Sequence, residues 1–179
     1  MKKAIVSVIN DLVTDQRVNR SCNTLGTLGF DVLLVGRRKK NSYALPPRSY
    51  KMFRFAMLFE KGPLFYAFFN FRLFFFLLFK KADLLLANDL DTLLPNYLVS
   101  KIKKIPLVYD SHEYFTGVPE LTGRPLVQKI WKGIERAIFP KLKDIITVNQ
   151  SIADLYKTEY LKELTIVRNI PETRPLINI

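Results

Sequence analysis

The sequence predicts an α/β domain: a mainly parallel sheet with helices on both faces. Short β-branched or leucine-rich runs at 4–9, 31–36, 82–87, 106–110 and 144–148 suit strands that are buried on both sides. Segments of helical period separate them, as parallel neighbours require of their crossovers. A length of 179 residues, with 49% hydrophobic and 25% charged side chains, is one domain's worth of chain. That composition excludes wholesale disorder and fibrous repeats.

The first strand, 4–9, ends in the polar segment 10–16. Val18, Cys22, Leu25 and Leu28 then share one helical face, with Thr14 or Asp15 as cap and Gly29 as stop. The strand 31–36 runs into the basic cluster Arg37, Arg38, Lys39 and Lys40, and the proline-containing stretch 43–48 reads as loop before a third strand near 49–55. From 63 to 80 the pattern is a helix that is apolar nearly all round, interrupted by Asn70 and Arg72. After the strand 82–87, Asp91 or Thr92 caps a helix reaching about 103. The strand 106–110 then enters Ser111, His112 and Glu113. A helix over about 125–140, a strand at 144–148, a helix capped by Ser151 to about 160 and a strand at 165–167 complete the alternation.

Twenty-eight Lys and Arg against 16 Asp and Glu give a net charge of +12, which favours an anionic partner and is silent on fold. A single cysteine, Cys22, forms no internal disulfide and suits a reducing compartment. The apolar run 4–9 is too short for a signal-peptide core, so the expected location is the cytoplasm. The turn after the first strand has no glycine and carries Asp11 and Asp15, which excludes the glycine-rich cradle of an NAD or FAD site. No Gly-Lys-Ser/Thr loop supports an ATPase, and one His with one Cys builds no closed zinc site. The expectation is no cofactor and no metal. Asp89-Leu90-Asp91 resembles an Asp-x-Asp metal-holding motif, but Asp91 also reads simply as a helix cap.

In a parallel sheet, ligands sit beyond the carboxyl ends of the strands. That places candidate site residues at 10–17, 36–40, 88–91, 110–117 and 149–151. His112, the only histidine, follows a buried strand at this edge with Asp110 and Glu113 beside it, where an imidazole can donate or accept a hydrogen bond near neutral pH.

The order of segments resembles glycosyltransferase family 4. Val13-Thr14-Asp15-Gln16-Arg17-Val18, a helix, and Leu28-Gly29-Phe30-Asp31-Val32 look like its opening. The segments 82–93, 106–113 (ending Asp110-Ser111-His112-Glu113), Ile134-Glu135-Arg136, 146–153 and 167–171 are similar to its later landmarks, in the right order and over nearly the whole chain.

The resemblance implies a GT-B enzyme, with two Rossmann-like domains facing a cleft, retention of anomeric configuration and no essential metal. On that basis residues 1–170 form the N-terminal, acceptor-side domain and 171–179 begin the interdomain linker. His112 is expected to be the catalytic cleft histidine. Asp11, Asp15, Arg17, Asn88, Asp89 and Glu113 are expected around the acceptor. Asp11, Asp15 and Arg17 lie where the family more often has glycines, a departure that weakens any diphosphate contact from that loop. The family's second domain carries two donor-binding glutamates eight positions apart, and no two glutamates here have that separation. The expected function is therefore the acceptor-binding half of a retaining transferase. It would move a sugar from a nucleotide-sugar donor to a hydroxyl acceptor in cell-envelope polysaccharide or glycolipid synthesis. The donor-binding domain would be supplied in cis or by a partner chain, and this chain alone would be inactive.

Eleven of the 14 phenylalanines lie between Phe53 and Phe79, too concentrated for a shared core. The run 63–79 is short and polar for a membrane span of about 20 apolar residues. With Phe71 and Phe74 outward, beside Lys80, Lys81 and the 37–40 cluster, it suits contact with the inner face of an anionic membrane, and a thick internal helix with solvated charges around it fits the pattern equally well. Two other classes cover parts of the pattern. A basic nucleic-acid binder accounts for the charge but has no recognised binding module, so no nucleic-acid partner is expected. A non-enzymatic Rossmann-like binding or assembly domain has the same fold.

Overall fold

The computed structural model describes residues 1–117 and 123–170. The segment 171–179, expected as linker, lies outside the described residues. Seven strands form one all-parallel sheet: β1 (Lys2–Ser7), β2 (Phe30–Arg38), β3 (Lys51–Ala56), β4 (Leu84–Asn88), β5 (Leu107–Ser111), β6 (Asp144–Thr147) and β7 (Thr165–Ile166). Their order is β3-β2-β1-β4-β5-β6-β7. The helices are α1 (Gln16–Thr27), α2 (Gly62–Phe79), α3 (Leu90–Lys103), α4 (Pro125–Ile138) and α5 (Gln150–Tyr160).

The two faces are unequally covered. On one, α1 places Val18, Cys22 and Leu25 against Ala4 and Val6 of β1 and Val32 and Leu34 of β2. The β2–β3 crossover is loop, and its Leu45 and Tyr50 pack onto the same cluster where a helix would otherwise lie. Burial pushes the Cys22 thiol up to about 12, so it stays protonated and inert. The other face carries the larger core, drawing Phe65, Phe69, Leu73 and Leu77 from α2, Leu93 from α3, Trp131 from α4 and Tyr156 from α5. Glu135, fully buried in α4, accepts from Lys132 (2.8 Å), Tyr156 (3.2 Å) and Tyr160 (2.8 Å), which joins α4 to α5. The Ile134-Glu135-Arg136 landmark thus has a packing role.

Three local expectations change. The N-cap of α3 is Asp89, not Asp91 or Thr92, because Asp89 takes a left-handed φ of 59° and the Thr92 hydroxyl donates back to Asn88 O (2.7 Å). Asn149, not Ser151, caps α5, its side chain accepting from Ile152 N at 2.9 Å. On α2 the inward stripe at 65, 69, 73 and 77 turns Phe71, Phe75 and Phe79 outward, while Phe74 is half-buried on its flank. Asp15 caps α1 as expected, accepting from Val18 N (2.9 Å), and Gly29 ends that segment with φ 85°.

The glycine that the first turn lacks stands on the neighbouring strand. Gly36 of β2 lies so close under the loop after β1 that a Cβ there would come within 2.6 Å of Asn10 O and 2.4 Å of the Leu12 side chain. The loop therefore folds down against β2, with Arg37 N donating to Asn10 O (2.9 Å).

Candidate active site at the carboxyl edge

β1 and β4 are neighbours whose following helices, α1 and α3, depart to opposite faces. Their carboxyl ends form the crevice where open parallel sheets bind ligands. Asn88 ends β4 and ties it to β1 by donating from its side-chain amide to Ser7 O (2.9 Å); its side-chain oxygen, Oδ1, is buried without a hydrogen-bond partner.

The next residue reaches sideways to β5. Asp89 Oδ1 accepts from His112 N at 2.9 Å, and Asp89 Oδ2 lies 3.3 Å from His112 Nδ1. On the other side of the ring, His112 Nε2 lies 3.3 Å from Asp110 Oδ2 without the alignment of a hydrogen bond. Burial alone would lower the imidazole's pKa, but the Asp110 and Asp89 carboxylates outweigh it and the net shift is upward. Burial pushes Asp89 up to about 6, with His112 pulling the other way. A ring flanked by two carboxylates favours the doubly protonated form, so His112 is equipped to donate toward an oxygen rather than to act as a base.

Asp110 is fully buried and is held by Arg17 of α1. Nη2 donates to Oδ1 at 2.5 Å, and Nε lies 3.1 and 3.2 Å from the two carboxylate oxygens. Arg17 Nη1 donates to Val167 O (2.6 Å), so one guanidinium ties α1 to β5 and to the residue after β7. Asp91, buried in the first turn of α3, has an unpartnered Oδ1, and burial beside Asp89 and Glu113 raises its pKa well above the ordinary carboxylate value. The Arg37 cation acts against that rise from the end of β2. Its Nε is buried and unpartnered, and its guanidinium lies 4.3 Å above the Phe65 ring.

The structure thus gathers Arg17, Asn88, Asp89, His112 and Glu113 at one crevice, with Asp110 as the shared anchor. Asp15 belongs to the α1 cap and accepts from Asn10 Nδ2 (2.7 Å). Asp11 turns toward the β2–β3 loop, where its carboxylate meets Ser42 Oγ at 3.4 Å. Arg37 and Asp91 lie within the candidate segments 36–40 and 88–91 read from the sequence, which gives neither an individual role at the site, one standing in a basic cluster and the other at a helix start. Their shared position at the carboxyl ends of β2 and β4, on either side of β1, was the available signal. Among the described residues no three His, Cys, Asp or Glu side chains are placed to hold a metal ion.

An all-parallel seven-stranded sheet with this polar cluster at its switch point defines a Rossmann-like domain of the kind found in GT-B glycosyltransferases. The chain belongs to glycosyltransferase family 4: the profile described as Glycosyltransferase Family 4 matches residues 16–170. Among solved structures it is similar to sucrose-phosphate synthase from Thermosynechococcus elongatus. That match has a TM-score of 0.60 and 12% identity, and it covers 94% of this chain and 87% of that one, a likeness of fold. No curated protein matches the chain significantly.

Proposed function

We propose that this glycosyltransferase domain is the acceptor-binding half of a retaining enzyme. It would move a sugar from a nucleotide-sugar donor to a hydroxyl acceptor in cell-envelope polysaccharide or glycolipid synthesis. The observation that carries the reading is His112, held between Asp89 and Asp110 at the carboxyl edge of β5. In that setting the imidazole donates to an oxygen of the transferring sugar or of the acceptor. The Arg17–Asp110 ion pair keeps the ring in place. Asn88, Asp91 and Arg37 each keep a buried polar atom without an internal partner, an unsatisfied set under the crevice that a bound hydroxyl or water reaching its floor would complete. Fixing the acceptor in this way lowers the barrier through entropy already lost on binding, an effect of several kcal/mol.

The donor lies on a second lobe, in cis or on a partner chain, and this domain alone does not turn over. The nucleotide sugar is a substrate, and no further cofactor takes part. A cytoplasmic location is supported by the single cysteine, which leaves no internal disulfide to form.

The test is to incubate the two-lobed enzyme with a panel of nucleotide sugars and a lipid extract, follow nucleoside diphosphate release, and determine the anomeric configuration of the product by NMR. Retained configuration is the expected result. An inverted product removes the retaining mechanism, and no release with any donor removes the transferase reading.

A further inference from the structure

Helix α2 is apolar on the side that faces away from the protein. Phe65, Phe69, Leu73 and Leu77 are buried against the sheet and α3, whereas Phe71, Phe75 and Phe79 are 62%, 40% and 80% exposed. A helix seated on a water-facing domain ordinarily carries charged or polar residues on that outer stripe. Here the outer rings touch one another, with centroids 4.8 Å apart for Phe71 and Phe75 and 6.3 Å apart for Phe75 and Phe79. The apolar surface continues onto the edge strand β3, where Phe53, 40% exposed, stacks on Phe76 at 5.1 Å. Between strand and helix lies an open groove of about 610 Å³, rimmed by Arg72 and Lys80. An exposed apolar patch of this extent marks an interaction surface.

The charges around it identify the occupant. α2 contains no Asp or Glu, and Lys80 and Lys81 follow it directly, both exposed. Because every strand is parallel, the segments entering the strands gather at a single edge of the sheet, and that edge also carries exposed Lys2, Lys104 and Lys143, along with Asp83, Asp144 and the Lys51–Asp31 pair (3.1 Å). α2 links two parallel strands and therefore runs against them, so Phe79 ends at this lysine-rich edge, opposite the crevice. A second lobe facing the crevice does not reach Phe75 or Phe79. A second copy paired about a two-fold axis would set Lys80 and Lys81 against a surface of the same sign. Anionic lipid satisfies both the rings and the lysines.

We propose that the β3–α2 face docks on an anionic bilayer. α2 lies in the plane of the headgroup–acyl boundary, with Phe71, Phe75 and Phe79 immersed and Lys80, Lys81 and the neighbouring edge lysines on lipid phosphates. At 18 residues with Arg72 as its one charge, α2 meets the lower limit of a bilayer span by length and composition alone, one residue beyond the run read from the sequence. It lies on the bilayer instead of crossing it, because Phe69, Leu73 and Leu77 are fully buried and withdrawing them would empty the larger core. The inference is independent of the transferase reading, since vesicle binding is read without turnover.

The experiment is co-sedimentation of the chain with vesicles of phosphatidylcholine alone and of phosphatidylcholine mixed with phosphatidylglycerol. The expected result is sedimentation with the mixed vesicles only, weakened by added salt. Phe71→Ser/Phe75→Ser/Phe79→Ser should abolish it. Lys80→Glu/Lys81→Glu, which leaves the rings intact, should weaken binding by about tenfold or more. Circular dichroism confirms that each variant is folded. Failure of the folded wild type to bind either vesicle overturns the proposal, as does undiminished binding by both variants. A soluble dimer that the phenylalanine substitutions disperse assigns the face to a second copy and overturns it equally.

Discussion

The side-chain amide of Asn70, in α2, donates to the main-chain carbonyl of Asp91, in α3, at 2.9 Å. That carbonyl lacks its helical donor because the residue four positions on is Pro95, which has no N–H. Asn70, a polar break in an apolar run, therefore completes the neighbouring helix. Asn70→Leu makes α2 more apolar, yet should cost about 1–3 kcal/mol by leaving a buried acceptor unpaired. Adding Pro95→Ala, which restores an N–H to the helix, should recover much of the loss. Urea denaturation of the single and double variants checks this, and an Asn70→Leu protein as stable as wild type would refute it.

The Arg17–Asp110 pair spans 93 residues of sequence and is buried at both ends. Removing one partner of such a pair strands the other charge, so Arg17→Met should cost about 3–5 kcal/mol. Arg17→Lys should recover little of it, since a point charge replaces a two-pronged contact. Chemical denaturation measures both. A loss well under about 1 kcal/mol, typical of surface pairs, would show that Arg17 does not hold the sheet edge together.

The pH dependence of stability follows from the ring and its flanking carboxylates. Burial works against His112, but Asp110 and Asp89 raise its folded pKa above 6.5. Its contacts thus contribute fully below that pH and are lost as pH rises through the folded value. Asp89 acts in the same direction: with a folded pKa of about 6 against 3.8, the native protein keeps a proton that the unfolded chain releases, so stability falls as pH climbs between those values. Each of the two groups also feels the other's charge, which pulls Asp89 down and His112 up. Melting temperatures should decline from acid toward alkaline pH across this range, and His112→Gln should flatten the decline above 6.5. A melting temperature that rises with pH above that point would contradict the arrangement.

The strands were legible because a sheet buried on both faces writes short apolar runs, as at 84–87 and 107–109, and helices of clear period separate them. His112 was legible from its place directly after such a run. The partners that define the site were not. Arg17 finds Asp110 only through the three-dimensional path of α1, and nothing local distinguishes a buried guanidinium from a solvated one. Asp89 reads as part of a helix start, but a left-handed backbone turns its carboxylate to His112 instead of to the helix. The outward face of α2 was misplaced at one position because a helix apolar all round has no polar stripe to set its phase. Phe71 is outward in sequence pattern and structure alike, whereas pattern alone does not separate the half-buried Phe74 from the exposed Phe75.

If His112 serves sugar transfer from this edge, the transfer rate of the two-lobed enzyme depends on that imidazole. His112→Gln, shown by circular dichroism to be folded, should lower kcat by about a hundredfold or more, the scale of losing a positioned donor in a reaction's transition state. Transfer by the folded variant at the wild-type rate would contradict the account.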